Sequence, residues 1–322
     1  MNASVLITKT AREIKTFISE YFDFSENFPA DYQAITEGEK ESISMLILEE
    51  VFGLKRIDVA LNKSISFDIK TWTYLIDILN KMPSNEPIQY ILGHTEFYGM
   101  TFRVSKDVLI PRPETEELVD FIIKKHQNQP KNIISTNILN TTLNILDIGT
   151  GSGCIIISLA KNLANSISSV NAFAMDISEN ALKVAESNAK ENNVKVQFIQ
   201  QDILAKNLEK ELENNFDFFD KLDIVVSNPP YVTQAEKQLM QANVLDFEPH
   251  NALFVEDLEP LVFYERIIFL ATKYLKKGGF LYFEINEKYP NEMKNLLEKY
   301  NFSDVEILLD LQGKSRMIFG QK

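Results

Sequence analysis

An apolar run, Ile224-Val225-Val226-Ser227, stops abruptly at Asn228-Pro229-Pro230-Tyr231. Proline lacks an N–H and holds φ near about −65°, and it disfavours the helical region for the residue before it. Asn228 and Pro229 are therefore both pushed toward extended backbone, giving a rigid edge after a buried strand. The Asn228 side-chain amide and the Pro229 carbonyl are then free to face a ligand. Open α/β sheets bind their ligands at the carboxyl ends of strands. A plain proline turn would look the same over these four residues, so the rest of the chain has to decide.

A second cluster stands upstream, where the strand Leu143–Ile148 runs into Asp147-Ile148-Gly149-Thr150-Gly151-Ser152-Gly153-Cys154. Glycines let the backbone turn sharply and approach a ligand at the start of the following helix. The dinucleotide fingerprint G-x-G-x-x-G needs its third glycine at 154, which is cysteine here. The acid at Asp147, two residues before Gly149, can accept from an ammonium group, and a pyrophosphate would not want it nearby. The loop thus suits a ligand with a zwitterionic amino-acid end, such as S-adenosylmethionine, better than a nicotinamide dinucleotide. Asp176 ends the next strand and can accept from two ribose hydroxyls, although capping the helix that begins near Ser178 would also explain it. Asp202 follows the third strand and could accept from an adenine amino group, but aspartate is common in such turns.

Taken together these residues describe a methyl-donor site with Asn228–Tyr231 as the acceptor site. An amide or exocyclic aromatic amine is a poor nucleophile because its lone pair is delocalised. Two acceptors, the Asn228 side-chain oxygen and the Pro229 carbonyl, can hold both N–H bonds and turn that lone pair toward a sulfonium methyl. This is positioning plus electrostatic stabilisation of charge developing on nitrogen. No strong base is required, since the product nitrogen loses its proton afterwards. Tyr231 would pack against the flat acceptor, or against the cationic methyl through its π face.

The elements that must position these groups alternate strand and helix from residue 143 to the end, which implies a mostly parallel sheet covered on both faces. Strands are expected at Leu143–Ile148, Val170–Met175, Val194–Ile199, up to Ser227, Phe280–Ile285, Val305–Leu309 and Arg316–Phe319. Helices lie between them, one over Pro260–Leu275 ending in a basic turn and a Gly278-Gly279 stop. Residues 1–85 form a helical domain, with apolar residues at i, i+3, i+4, i+7 in Ile14, Phe17, Ile18, Tyr21 and in Trp72, Leu75, Ile76, Leu79. Residues 86–111 change character, with a hairpin across Gly99, and Pro113 opens a helix acidic in its first turn. A polar surface loop spans 127–142.

The 322 residues suffice for two domains, and 45% hydrophobic with 25% charged residues is ordinary for a globular protein. A lone cysteine, Cys154, excludes an internal disulfide and a thiolate metal site. His94, His126 and His250 show no ligand spacing, so no metal is expected. No apolar run reaches the roughly 18 residues of a membrane helix, and the cytoplasm is the expected location. The net charge of −13 argues against a large phosphate-tracking surface and suits a basic protein partner.

Asn228–Tyr231 with Asp147–Gly153 resembles the class I methyltransferases that modify planar nitrogens. DNA adenine-N6 methyltransferases and the HemK/PrmC family of protein glutamine methyltransferases share that pattern. The segments Glu86-Pro87-Ile88-Gln89-Tyr90, Gly93-His94-Thr95-Glu96-Phe97 and Leu109–Glu116, with Phe247-Glu248-Pro249, are similar to the second family specifically. The resemblance implies a Rossmann-like α/β fold with a seven-stranded, mostly parallel sheet. It also implies an N-terminal helical-bundle domain (1–85) that recognises substrate, a β-hairpin linker (86–111) and a catalytic domain (112–322). The implied reaction is methylation by S-adenosylmethionine of the glutamine in the Gly-Gly-Gln motif of peptide-chain release factors, by a monomer without stable nucleic acid or membrane partners. By position, Asp147, Gly149, Thr150, Gly151, Ser152, Gly153, Asp176, Asp202 and Ile203 would hold the cofactor. Asn228 and Pro229 would be catalytic, Asn228 touching cofactor and substrate, and Asn228–Tyr231 would cradle the glutamine. Several members carry an aromatic residue where this chain has Ile203, and Thr-Gly-Ser-Gly replaces the family's usual Thr-Gly-Thr-Gly. Adenine-N6 methylation of DNA or RNA is the alternative.

Overall fold

A computed structural model describes residues 6–23, 36–127, 142–215 and 222–322 of the chain. These form two compact units, 1–93 and 94–322. The front unit holds β1 (Leu6–Thr10), α1 (Ala11–Asp23), α2 (Glu37–Phe52), α3 (Arg56–Ala60), β2 (Ser64–Asp68), α4 (Ile69–Lys81) and α5 (Ile88–Leu92). Ile14, Ile18, Ile47, Leu48, Leu75 and Leu79 are buried together, as the helical spacing requires. Gly53 ends α2 in the left-handed conformation. Helical periodicity alone misses the antiparallel pair β1–β2, which runs from Leu6↔Asp68 to Thr10↔Ser64. Its signal is the short alternation in Ser64–Asp68, which buries only Phe67 fully.

The larger unit opens with a hairpin, β3 (His94–Phe97) and β4 (Met100–Arg103). Its two-residue turn places Tyr98 at φ 48° and Gly99 at φ 69°, the doubly positive pattern that matches strand twist. Phe97 and Phe102 are buried in the core of this unit, edge to face. The non-glycine at positive φ is held by α6 (Pro113–Gln127), where Glu116 accepts from the Tyr98 N–H at 2.9 Å and Asp120 from its hydroxyl at 3.1 Å. Of the polar stretch 127–142, residues 128–141 lie outside the described residues.

Then follow β5 (Thr142–Ile148), α7 (Cys154–Leu163), β6 (Ser169–Asp176), α8 (Glu179–Glu191), β7 (Val196–Gln200), α9 (Leu208–Asn215), β8 (Leu222–Ser227), β9 (Val232–Thr233), α10 (Ala242–Phe247), α11 (His250–Leu253) and β10 (Phe254–Val255). The chain closes with α12 (Val262–Tyr274), β11 (Leu275–Glu284), α13 (Pro290–Lys299), β12 (Ser303–Leu309) and β13 (Ser315–Gln321). The main sheet has seven strands in the order β12-β13-β11-β8-β5-β6-β7. Pairs from β11 through β8, β5 and β6 to β7 are parallel, while β13 is antiparallel to both β11 and β12.

Strand alternation splits the apolar residues between two cores. Leu146, Val225, Leu281 and Phe283 face one layer, containing α12 and α13, whereas Ile145, Ile224, Val226 and Tyr282 face the other, containing α6 and α7. The expected glycine stop after α12 is instead the irregular start of β11. Helix α12 ends at Tyr274, and Leu275 is already extended. The strand's carboxyl-terminal neighbour supplies the reason: Gly278 N–H donates to the Lys322 carbonyl and Lys322 N–H to that of Gly279. Lys276 pairs with Asp223 at 2.7 Å instead of capping the helix.

Gly153, the residue before α7, sits at φ +80°, and a Cβ there would come within 2.9 Å of Ile157 Cδ1 and 3.1 Å of Ala185 Cβ. Both the conformation and the close passage of α8 require glycine. Gly153→Ala should lower unfolding stability by about 2 kcal/mol, measured by urea denaturation at unchanged m-value.

Candidate active site

Strands β6 and β7 lie on one side of β5 while β8 lies on the other, so the sheet order reverses beside β5 and opens a crevice there. A cavity of about 300 Å³ occupies it, within the size range of small-molecule sites. Gly149, Thr150, Gly151 and Ser152 form one wall and Asn228, Pro229 and Pro230 another, with Asp176, Asp202 and Ile203 also lining it. The structure thus brings ten of the thirteen sequence-derived site residues onto one surface.

The glycine loop is fixed from both sides. Gly149 and Thr150 N–H donate to the Met175 carbonyl at 2.8 and 3.0 Å. The buried Asn188 of α8 donates to the carbonyls of Ser152 and Arg103, at 2.8 and 3.0 Å, and accepts from Arg103 N–H, tying loop and hairpin together. A Cβ on Gly149, at φ +73°, would lie 4.0 Å from the Asn228 carbonyl oxygen.

Asp176 spends its carboxylate on the loop and the next helix. Its Oδ2 accepts from Gly151 N–H and its Oδ1 from Ser178 N–H, both at 2.9 Å. Ser178, not Asp176, caps α8. Each oxygen keeps a lone pair for a hydroxyl in the cavity, and burial raises the carboxyl pKa. Asp202 Oδ1 accepts from Leu204 N–H at 2.8 Å, a local turn that also leaves a lone pair. Ile203 presents an apolar surface while Arg266 donates to its carbonyl at 2.9 Å and pairs with Glu209.

Three of the expected residues lie off the cavity wall. Gly153 serves the packing described above. Asp147 is fully buried beneath the loop, with Oδ2 accepting from the Thr150 hydroxyl at 2.7 Å and Oδ1 without a hydrogen-bond partner. Burial pushes its pKa up to about 7, helped by the charge of Asp176 and opposed by the Thr150 bond. Tyr231 packs against the apolar core, and its hydroxyl donates to Glu284 Oε1 at 3.0 Å.

Sequence reasoning assigned no site role to several groups around the cavity. The loop Asp107–Arg112 closes one side, and Arg112 reaches Glu248 Oε1 at 2.6 Å in a largely buried ion pair. Thr115 also lines the cavity. Residues 136 apart that pair on folding leave no local pattern, so Arg112 and Glu248 were visible only as parts of resembling segments. Glu284 had a local signal, an acid closing the apolar strand Leu281-Tyr282-Phe283. Cys154 is buried, its thiol pushed up to about 12 by burial, and no cluster that could hold a metal occurs among the described residues. His126 is structural: half-buried against Tyr282, with loss of solvent lowering its pKa to about 4.

A strand order of this kind, with a glycine turn after β5 and a carboxylate closing β6, is that of a class I methyltransferase, and residues 139–318 match the family model described as a methyltransferase domain. Residues 33–93 match that of the PrmC N-terminal domain. The chain is 46% identical over 282 residues to the release factor glutamine methyltransferase of Flavobacterium psychrophilum, covering 88% of this chain and 92% of that one. Its counterpart in Bacteroides thetaiotaomicron is 42% identical over 280 residues (87% and 92%), and that of Streptococcus pneumoniae 38% over 246 (76% and 78%). The chain belongs to the release factor glutamine methyltransferase family, and its cofactor is S-adenosylmethionine.

The residues present fit that cofactor. The unpartnered, anionic-capable Oδ1 of Asp147 beneath the loop suits a cationic ligand, and the apolar face of Ile203 suits an aromatic base. A cation nearby favours the ionised form of Asp147, so binding should release a proton when that carboxyl titrates near 7. S-adenosylmethionine affinity should therefore strengthen as pH rises from about 6 to 7.5, below the ligand's own α-amino titration near about 8. Calorimetry across that range should show the trend in the wild type and its loss in Asp147→Asn.

Proposed function

We propose that this chain transfers a methyl group to the side-chain amide nitrogen of the glutamine in the Gly-Gly-Gln motif of peptide-chain release factors. The observation that carries the reading is the shared cavity, in which the loop Gly149–Ser152 and the rigid edge Asn228–Pro230 face the same space. S-adenosylmethionine supplies an electrophilic methyl on a sulfonium. Asn228 Oδ1 and the Pro229 carbonyl accept the two N–H bonds of the substrate amide and turn its lone pair toward the methyl. Both acceptors lie on proline-stiffened backbone, so little reorganisation is needed as positive charge grows on nitrogen. When bound, the cofactor would yield its methyl to that nitrogen as the sulfur–carbon bond breaks, and the excess N–H proton would leave to solvent. The names of the relatives favour glutamine over the adenine-N6 alternative.

The match of 33–93 to the PrmC N-terminal domain supports a substrate-recognition role for residues 1–85, with 86–111 as linker and 112–322 as the catalytic part. The acidic charge of −13 supports a protein partner over stable nucleic-acid binding. No helix among the described residues is long and apolar enough to cross a membrane, and action on a release factor is the ground for proposing a cytoplasmic location and a monomer.

Asn228→Ala should lower turnover about 10²-fold or more, the scale for one positioned polar group, while cofactor affinity changes far less. Wild-type activity in that variant would overturn the mechanism. With labelled cofactor, the purified protein should mark a release factor and leave DNA unlabelled. Mass spectrometry that locates the methyl on a residue other than glutamine would overturn the substrate assignment.

A further inference from the structure

Oδ1 and Nδ2 of an asparagine amide differ in hydrogen-bonding sense but hardly in shape. If the Asn228 amide turned over, it would meet the substrate N–H bonds with its own N–H bonds, and acceptor would become donor. Something must fix its sense, and the two prolines that fix the backbone do not. Asn228 Nδ2 lies 3.4 Å from Thr115 Oγ1, a long hydrogen bond from β8's end to the first turn of α6. A hydroxyl could answer either end of the amide, because it donates one proton and also accepts.

Glu284 removes that freedom. It closes β11, next to β8 in the sheet, where Phe283 pairs with Ser227, and it is 1% exposed. Its Oε2 takes the Thr115 proton at 2.6 Å, and its Oε1 takes that of Tyr231 at 3.0 Å. With its only proton committed to a carboxylate, Thr115 can offer Asn228 nothing but a lone pair. The amide must then turn Nδ2 to Thr115, which leaves Oδ1 for the cavity. A buried carboxylate needs partners to be tolerated, and its two donors here come from the acceptor motif itself and from the helix beside it.

We propose that Glu284 is a positioning residue for methyl transfer, acting through Thr115 to fix which end of the Asn228 amide faces the substrate. This rests on the reading of Asn228 as acceptor of the substrate amide's protons. Thr115→Val keeps the shape and removes the hydroxyl, so kcat should fall about tenfold or more with cofactor affinity within about twofold. Thr115→Ser restores the hydroxyl and should recover most of kcat. Glu284→Gln can donate to Thr115, free its proton for Oδ1 and invert the amide, again lowering kcat. Because the two residues act as one relay, the double variant should be no worse than the more damaged single.

A wild-type kcat in Thr115→Val, or losses that multiply in the double variant, would overturn the proposal. If Glu284→Gln does not fold, the valine and serine pair decides. A readout independent of substrate comes from NMR of the Asn228 side-chain amide, whose proton exchange should be slowed in the wild type and in Thr115→Ser and accelerated in Thr115→Val. Slowed exchange in an enzyme that leaves release-factor glutamine unmethylated would overturn the glutamine reading alone. Equal exchange in all three forms would overturn the positioning role alone.

Discussion

Parallel pairing of Ile148 with Ser227 puts the first residue of the glycine loop beside the first residue of the acceptor motif. The Ser227 hydroxyl reinforces that register by donating to the Ile148 carbonyl at 2.6 Å. A slip of one residue would turn every side chain on β8 to the other face of the sheet. It would carry Asn228 off the cavity wall and each valine into the wrong apolar layer, so the two walls of the cavity could not meet as they do. The two apolar cores guard against this, since Val225 belongs to one layer and Ile224 and Val226 to the other. Packing of Ile224, Val225 and Val226, none of which lines the cavity, thus sets the distance between its two walls.

The site is also built against solvent-facing freedom. The loop is tied to β6 by Met175 and to α8 by Asn188, and Arg112 on the cavity wall is tied to the buried Glu248. Each tie joins elements far apart in the chain, and each ends on a buried or half-buried polar group whose partner is specific. A cofactor with charged, polyol and aromatic parts needs such walls, because each part must be met by a different chemistry at a fixed spacing.

Much of this was legible in the residues. Period-two and period-3.6 patterns located the strands of the main sheet and most of its helices but not β9, α10, α11 or β10, and the turn residues Gly149, Gly151, Asn228 and Pro229 announced the cavity. Pairings across long sequence separations were not legible. Lys276 to Asp223 and Gly278 to Lys322 turned an apparent helix stop into a strand, because partners elsewhere satisfied its backbone. Asp147 and Tyr231 were legible as types but not as directions: a strand-end residue can point into the crevice or into the core, and alternation decides only once the register is known. Thr115 was visible only as part of the resembling segment Leu109–Glu116, since a threonine in a first helical turn is ordinary.

Arg266 holds the backbone of the 203–205 stretch from behind, donating to the carbonyls of Ile203 and Ala205 while Glu209 steadies its charge. The position of that wall therefore depends on main-chain atoms, which every residue type carries. Its surface can change from aromatic to aliphatic without the loop moving. Under the proposed cofactor-binding role of Ile203, a change of side chain there is a change of texture on a fixed frame, altering how firmly a purine would be held and not where.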